Sequence, residues 1–189
     1  AGSSIDPLLR RPFAVHRLCG ETGAASASGA PSCIEILYRT VGKATLLLSR
    51  MKQGEDIDLL GPLGSGFSLP RQIEAAVLVA GGIGVAPLLP LAHLLNRRGR
   101  AVSRTVIIGA AARDGILCRG DFRKTGARVM VSTEDGSCGI RGLATDLLED
   151  VLDSLAPKPA ARLALYACCP LSMLQRIATI AREQAIPCQ

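Results

Sequence analysis

Apolar residues follow two rhythms along this chain. From Ala75 onward they form short, nearly continuous runs at Ala75–Ala80, Arg104–Ala110, Arg128–Thr133 and Arg162–Cys168. Short apolar runs of this kind, bounded by Gly or polar residues, read as strands buried on both faces. Between and after them, Pro87–Arg98, Leu143–Leu155 and Pro170–Ile186 read as helices. In the last, Leu171, Leu174, Ile177, Ala178 and Ala181 share one face at helical spacing. Pro87 falls in a first helical turn, where proline is tolerated. Buried strands alternating with helices predict a parallel sheet covered on both sides.

Before Pro70 the pattern is looser. Arg11–Leu18 alternates weakly, and Cys33–Val41 alternates better, with Ile34, Ile36 and Tyr38 on one side. Ala44–Gly54 predicts a short helix stopped by glycine, and Glu55–Phe67 a third strand running into a glycine turn. The small, polar, Gly-rich stretch from Cys19 to Ser32 predicts a loop. The change of rhythm at 68–74 predicts two domains, residues 1–70 β-rich and residues 71–189 α/β.

Composition narrows the function classes. A 48% apolar content across 189 residues supports a substantial core. The net charge of +6 permits an anionic ligand or an acidic partner. No basic block and no basic–aromatic interleaving indicates nucleic acid. Apolar runs break well before the ~18 residues of a membrane helix, and "AGSSIDPLLRRPF" lacks the apolar segment of a secretory signal; a cytoplasmic location is expected. The seven cysteines, at 19, 33, 118, 138, 168, 169 and 188, contain no C-x-x-C, and the histidines are His16 and His93 alone. That spacing predicts no metal site, a reducing compartment, and small buried hydrophobic roles for most of the thiols. His93, among leucines, is expected to be structural or solvated.

The candidate chemistry lies at the carboxyl ends of the four predicted strands, where open α/β sheets bind ligands. Those ends read "GGIGVAP", "GAAARDG", "TEDGSCG" and "YACCP". Gly82-Ile83-Gly84-Val85-Ala86-Pro87 departs from the dinucleotide fingerprint only in its final proline, and it delivers N–H groups to a helix N-terminus suited to phosphate. Ordinary strand-to-helix turns need glycine as well, so the glycines alone leave both readings open.

Taken in order, the strand ends resemble the pyridine-nucleotide domain of the ferredoxin–NADP reductase superfamily, with its G-x-G-x-x-P and C-G-P turns. "RRPFAV" (Arg10–Val15) resembles that superfamily's R-P-x-S flavin motif, and "GPLGSGF" (Gly61–Phe67) is a further likeness. "LYRTVGKAT", "GPLGSGF", "AGGIGVAPL" and "STEDGSCGIRGLATDLL" together are most similar to the electron-transfer subunits of two-component, NAD-dependent dihydroorotate dehydrogenases, over nearly the whole chain.

The resemblance implies a partial flavin-binding antiparallel barrel followed by a Rossmann-like parallel-sheet nucleotide domain. It implies FAD and NAD as cofactors, with a 2Fe–2S cluster in the full-length protein only. The implied reaction moves electrons from NADH through FAD and that cluster to an FMN-containing dihydroorotate dehydrogenase catalytic subunit, in pyrimidine biosynthesis. Rival readings are another reductase of the superfamily, such as a hydrogenase diaphorase-type subunit or a flavodoxin reductase, or a nucleotide-binding module without redox chemistry. With three strands before Pro70 and no cluster-type cysteines near "AIPCQ", the chain reads as a fragment cut at both ends.

Site residues follow from the same resemblance. Arg11, Pro12, Phe13 and Ala14 would meet the flavin, with Arg11 on its diphosphate because a guanidinium matches phosphate oxygens with parallel donors. Leu37, Tyr38 and Arg39 would line the flavin ring, and Ala44 and Thr45 would hold phosphate at a helix start. Gly82 and Gly84 would admit the nicotinamide nucleotide, and Cys168 would lie beside the reacting rings. Each has an alternative: Arg11 in a solvated basic pair, Tyr38 in plain core, Cys168 as a buried hydrophobe. Ala14 replaces a common hydroxyl residue, Ala44 the usual Gly, and Cys169 the Gly of C-G-P. The ribose-binding acid expected about 20 residues after the glycine turn is absent, since "RTVIIGAAARDG" holds no carboxylate before Asp114. Glu134 and Asp135 are the substitutes, favouring NAD over NADP, although Arg113 and Arg141 stand close enough in sequence to receive a 2′-phosphate.

Overall fold

The computed structural model describes residues 10–19, 33–97, 102–155 and 162–189. The expected loop at 20–32 and the end of the expected helix at Arg98 lie outside them. The first elements are a two-stranded antiparallel ribbon, β1 (Arg17–Cys19) and β2 (Cys33–Glu35), and a helix, α1 (Lys43–Arg50). From Ala75 the chain builds β3 (Ala75–Gly81), α2 (Val85–Arg97), β4 (Ser103–Ala110), α3 (Arg119–Lys124), β5 (Arg128–Thr133), β6 (Ile140–Arg141), α4 (Ala144–Leu155), β7 (Leu163–Cys168) and α5 (Leu171–Glu183). The parallel sheet has the order β6-β5-β4-β3-β7. The C-terminal residues extend it, with Cys188 bridging Leu165 and the Gln189 carbonyl accepting from Ala167 N–H at 2.8 Å.

Every residue of β3 is buried, as its unbroken apolar run requires in a sheet covered on both faces. The pleat sends alternate residues to opposite sides. Ala76, Leu78 and Ala80, with Val106, Ile108 and Tyr166, pack under α2 and α3 against Leu88, Leu89, Leu95 and Phe122. Ala75, Val77 and Val79, with Ile107 and Leu165, pack under α4 and α5 against Leu148, Val151, Ile177 and Ile180. After β3 the chain steps outward through β4, β5 and β6, then returns to β7 on the opposite flank of β3. The strand ends of β3 and β7 therefore face each other at the reversal of strand order, where such sheets bind ligands.

Three expectations change. Glu55–Phe67 forms no strand: it has no neighbouring ladder among the described residues, and Ile57, Leu59, Leu60 and Leu63 are exposed. β6 and α3, both short, escaped the hydrophobic pattern. The cysteines are not buried; five are half-buried, and Cys33 and Cys188 are exposed. His93 is exposed. Among the described residues no helix is long and apolar enough to cross a membrane.

The fit of α4 on the sheet yields a test. A Cβ at Gly109, on β4, would stand 2.6 Å from the Ala144 Cβ that opens α4. Gly109→Ala is expected to lower stability by about 1–3 kcal/mol through overpacking, read as a lower urea midpoint at unchanged slope.

Candidate functional site

A cleft of about 520 Å³ opens where Arg11–Phe13, the turn into α1 and the β3–α2 turn converge. It is lined by Arg11–Phe13, by Tyr38, Arg39 and Val41, by Gly42–Thr45, and by Ile83 of the glycine turn. Arg11, Arg39 and Lys43 give it three cations, and no carboxylate lines it. The rings of Phe13 and Tyr38 meet edge to face with centroids 6.0 Å apart, which fixes the tyrosine in place.

Lys43–Thr45 belong to the first turn of α1, where helical N–H groups gather and the helix dipole favours an anion. Thr45 organises it: its hydroxyl oxygen accepts from the N–H groups of Val41 and Gly42 at 3.0 and 3.1 Å and donates to the Gly42 carbonyl at 3.0 Å. Thr45 thus contributes by shaping the turn.

At the β3–β7 reversal the glycines divide their work. Gly82 has a left-handed backbone (φ +53°) and open space where a side chain would stand. Gly84 lies against β7, and a Cβ there would fall 1.8 Å from the Cys168 carbonyl oxygen. A Cβ at Gly81 would meet Pro170 Cδ at 2.6 Å and Cys169 Cβ at 2.9 Å. Two glycines lock the turns together while the third leaves room. Burial raises the pKa of Cys168, and that of Cys169 is pushed up to about 11 by burial and then by the neighbouring Cys168 and Cys188. Both thiols are kept protonated at neutral pH.

One link was missed by sequence reasoning. Pro90 lies inside α2 and has no N–H for the carbonyl four residues earlier, that of Ala86. The buried His16 fills the gap, donating from Nδ1 to Ala86 O at 3.2 Å, while its Nε2 faces the Cys118 thiol at 3.7 Å. Next to it Arg17 pairs with Asp121 of α3 at 2.8 Å. These contacts fasten the chain at the start of the ribbon both to the helix that follows the glycine turn and to α3 with the residue before it. A proline four residues after a helical carbonyl was the available signal.

At the end of β5, Glu134 and Asp135 are exposed. The Asp135 carboxylate accepts from Ser137 Oγ at 2.7 Å and Ser137 N–H at 2.9 Å, which lowers its pKa below the ordinary carboxylate range. Arg113, at the end of β4, donates through Nε and Nη2 to the Ser137 carbonyl at 3.1 and 2.5 Å. Arg141 packs its side chain over Gly136.

The structure thus brings Arg11, Pro12, Phe13, Tyr38, Arg39, Ala44 and Thr45 to one cleft. Ala14 and Leu37 do not line it, and Leu37 packs against the core under α2. Gly82, Gly84, Cys168, Glu134 and Asp135 all lie at the carboxyl edge of the parallel sheet. Val41, Gly42, Lys43 and Ile83 complete the cleft and were not foreseen.

A small antiparallel sheet beside a five-stranded parallel sheet covered by helices matches the ferredoxin–NADP reductase-like fold. Over most of its length the chain is similar in sequence to dihydroorotate dehydrogenase B (NAD(+)) electron-transfer subunits. It is 36% identical over 186 residues to such a subunit from Desulforamulus reducens, covering 98% of this chain and 65% of the relative. To the subunit from Geobacillus thermodenitrificans it is 39% identical over 164 residues, covering 82% of this chain and 59% of the relative. Among solved structures it matches an NADH-dependent reduced ferredoxin–NADP oxidoreductase with a TM-score of 0.61 at 29% identity, over 82% of this chain and 53% of that one. No family model matches. The chain spans about three-fifths of the length of these curated relatives.

Three outcomes test this geometry. Gly84→Ala is expected to destabilise far more than Gly82→Ala: the first must displace backbone, whereas the second bears only the ~1–2 kcal/mol of a left-handed residue. Urea midpoints of the two variants decide it. His16→Ala should cost about 1–3 kcal/mol, because the Ala86 carbonyl is left without a donor, and His16→Gln should recover part of it. Ser137→Ala should raise the Asp135 pKa toward the ordinary value in an NMR titration. Because the folded pKa of Asp135 is depressed, its contribution to stability is present above the ordinary carboxylate pKa and fades as pH falls through the lowered one.

Proposed function

We propose that this chain is the flavin- and nicotinamide-binding part of an electron-transfer subunit that moves electrons between NADH and a dihydroorotate-oxidising partner. The observation that carries the reading is the cleft itself. Three cations, a helix N-terminus and a fixed aromatic pair line one 520 Å³ space, and Ile83 from the nucleotide turn reaches into it. Such a lining fits FAD, an anionic diphosphate joined to an apolar ring system. In this reading residues 1–70 form the flavin-side domain and residues 71–189 the nucleotide-side domain.

Arg11 binds the flavin diphosphate, with Lys43 and the first turn of α1 adding positive potential. Tyr38 and Phe13 would hold the ring system, with the backbone at Tyr38 and Arg39 beside it. Gly82 admits the nicotinamide nucleotide, and Gly84 holds the Cys168 turn against it. Cys168, kept protonated by burial, excludes water beside the rings. Glu134 accepts from the ribose hydroxyls and repels a 2′-phosphate, with Asp135 holding the turn below it. Support for NAD over NADP comes from Arg113, whose guanidinium is engaged by the Ser137 carbonyl. When bound, the flavin supplies the exchange between two-electron and one-electron chemistry.

Among the described residues no cluster of His, Cys, Asp or Glu could hold a metal. The 2Fe–2S centre implied by the resemblance would be held by other residues of the full-length protein. The partner in this reading is the FMN-containing catalytic subunit, and the setting is the cytoplasm.

The reading is tested in the full-length protein by FAD titration and rapid mixing. Arg11→Ala should weaken FAD binding about tenfold or more, as loss of a charged hydrogen bond worth about 1.5–3 kcal/mol implies. The flavin-loaded protein should be reduced faster by NADH than by NADPH, and Glu134→Gln with Asp135→Asn should narrow that gap. Unchanged FAD affinity in the Arg11 variant, or a preference for NADPH, would overturn the corresponding assignment.

A further inference from the structure

The ribbon that joins two stretches of the cleft lining also carries two thiols. β1 and β2 pair antiparallel with Arg17 opposite Glu35, Leu18 opposite Ile34 and Cys19 opposite Cys33. Residues directly opposite in an antiparallel pair have Cα atoms about 4.5–5.5 Å apart, inside the 4.4–6.8 Å range that a disulfide spans. Cys33 is exposed and Cys19 half-buried. Neither participates in the proposed cofactor chemistry.

We propose that Cys19 and Cys33 form an oxidant-sensitive dithiol site that closes to a cross-strand disulfide on exposure to hydroperoxides. The local chemistry assigns the two sulfurs different roles. The Cys19 proton is held, its pKa pushed up to about 11, first by the hydrogen bond to Cys33, then by burial and by the negative charges of Cys33 and Glu35. Glu35 Oε1 lies 3.6 Å from Cys19 Sγ and accepts from that thiol, while Glu35 Oε2 is 3.5 Å from Arg17 Nη1. Cys33, facing solvent, is the sulfur that meets the oxidant.

In the first step the Cys33 thiolate attacks one oxygen of hydrogen peroxide; the O–O bond breaks, giving Cys33 sulfenic acid and hydroxide. In the second, Cys19 sulfur attacks the sulfenic sulfur. The S–S bond forms, the S–O bond breaks, and the Cys19 proton leaves with the hydroxyl as water. Two thiols are oxidised and one peroxide is reduced to two waters. The contrast with the other thiol group is one of access: Cys33 is exposed, whereas Cys168 and Cys169 are both half-buried. Because β1 follows Arg11–Phe13 and β2 leads into Tyr38–Arg39, the bond would join the strands next to both of these stretches of the lining.

The test is a peptide map of the full chain treated with limiting hydrogen peroxide, alkylated and digested without reductant. The expected result is that a Cys19–Cys33 linked peptide appears first and dominates, with the intact mass lowered by two hydrogens. Cys33→Ser should abolish the link and leave Cys19 open to alkylation. In urea the link should lose its dominance over other pairings, since the β register no longer holds the sulfurs opposite each other. The proposal is overturned if another pair links first, if Cys33 advances to sulfinic acid while Cys19 remains alkylatable, or if the linkage is as selective in urea as in the native protein. None of these readouts depends on flavin or nucleotide binding.

Discussion

The contact that organises this molecule is the backbone approach of Gly84 to the carbonyl of Cys168. The strands β3 and β7 are neighbours in the sheet, with Ala80 in register with Cys168, and their turns leave at the point where strand order reverses. A side chain at Gly84 would overlap the Cys168 carbonyl, and one at Gly81 would strike Pro170 and Cys169. Because both positions are glycine, the two turns close together as a unit, and Gly82 between them stays open on its left-handed backbone. The crevice is a consequence of packing that only glycine allows. Its neighbour Ile83 is the residue by which the parallel sheet contributes to the cationic cleft.

The β1–β2 ribbon depends on a second constraint, set by a missing donor. Pro90 removes an N–H that α2 would otherwise give to Ala86 O, and His16 supplies the replacement from a different part of the chain. A buried carbonyl without a partner is costly, so β1 is tied to the start of α2 by more than apolar contact. Arg17 with Asp121, and the Tyr166 hydroxyl donating to Ser68 O at 2.9 Å, add further ties between the segment before Ala75 and the parallel sheet. The cleft therefore joins elements whose relative position is fixed by specific polar contacts. That is what cofactor chemistry requires, since small displacements of reacting groups are expensive in rate.

Much of this was legible beforehand, for identifiable reasons. Runs such as Ala75–Ala80 and Arg128–Thr133 are strongly apolar, so burial on both faces follows from composition alone, and the parallel sheet was predicted with its strand boundaries nearly in place. The cleft residues Arg11, Tyr38, Ala44 and Thr45 were legible only through family resemblance, because nothing in their periodicity points to a ligand. Glu55–Phe67 misled because its spacing resembles a strand, but a strand needs a ladder partner, and periodicity does not supply one. Ile83, Lys43 and His16 were invisible for a different reason: their roles arise where distant segments meet. Thr45 lines the cleft, and its hydroxyl is engaged in shaping the turn at Gly42. The cysteines were misjudged as buried, since side-chain type does not reveal that β1 and β2 form a narrow, solvent-facing ribbon.

In the proposed function the cationic cleft and the glycine turn form one reaction site, with Ile83 lining both. The most direct measurement is anaerobic mixing of NADH with flavin-loaded full-length protein, following loss of the flavin's visible absorbance. Complete bleaching is expected in the native protein. Markedly slower bleaching is expected in an Ile83→Gly variant that still binds both FAD and NADH, because the two ligands would no longer be held in register. Bleaching at an undiminished rate in that variant, or none in the native protein with both ligands bound, would contradict the proposed function.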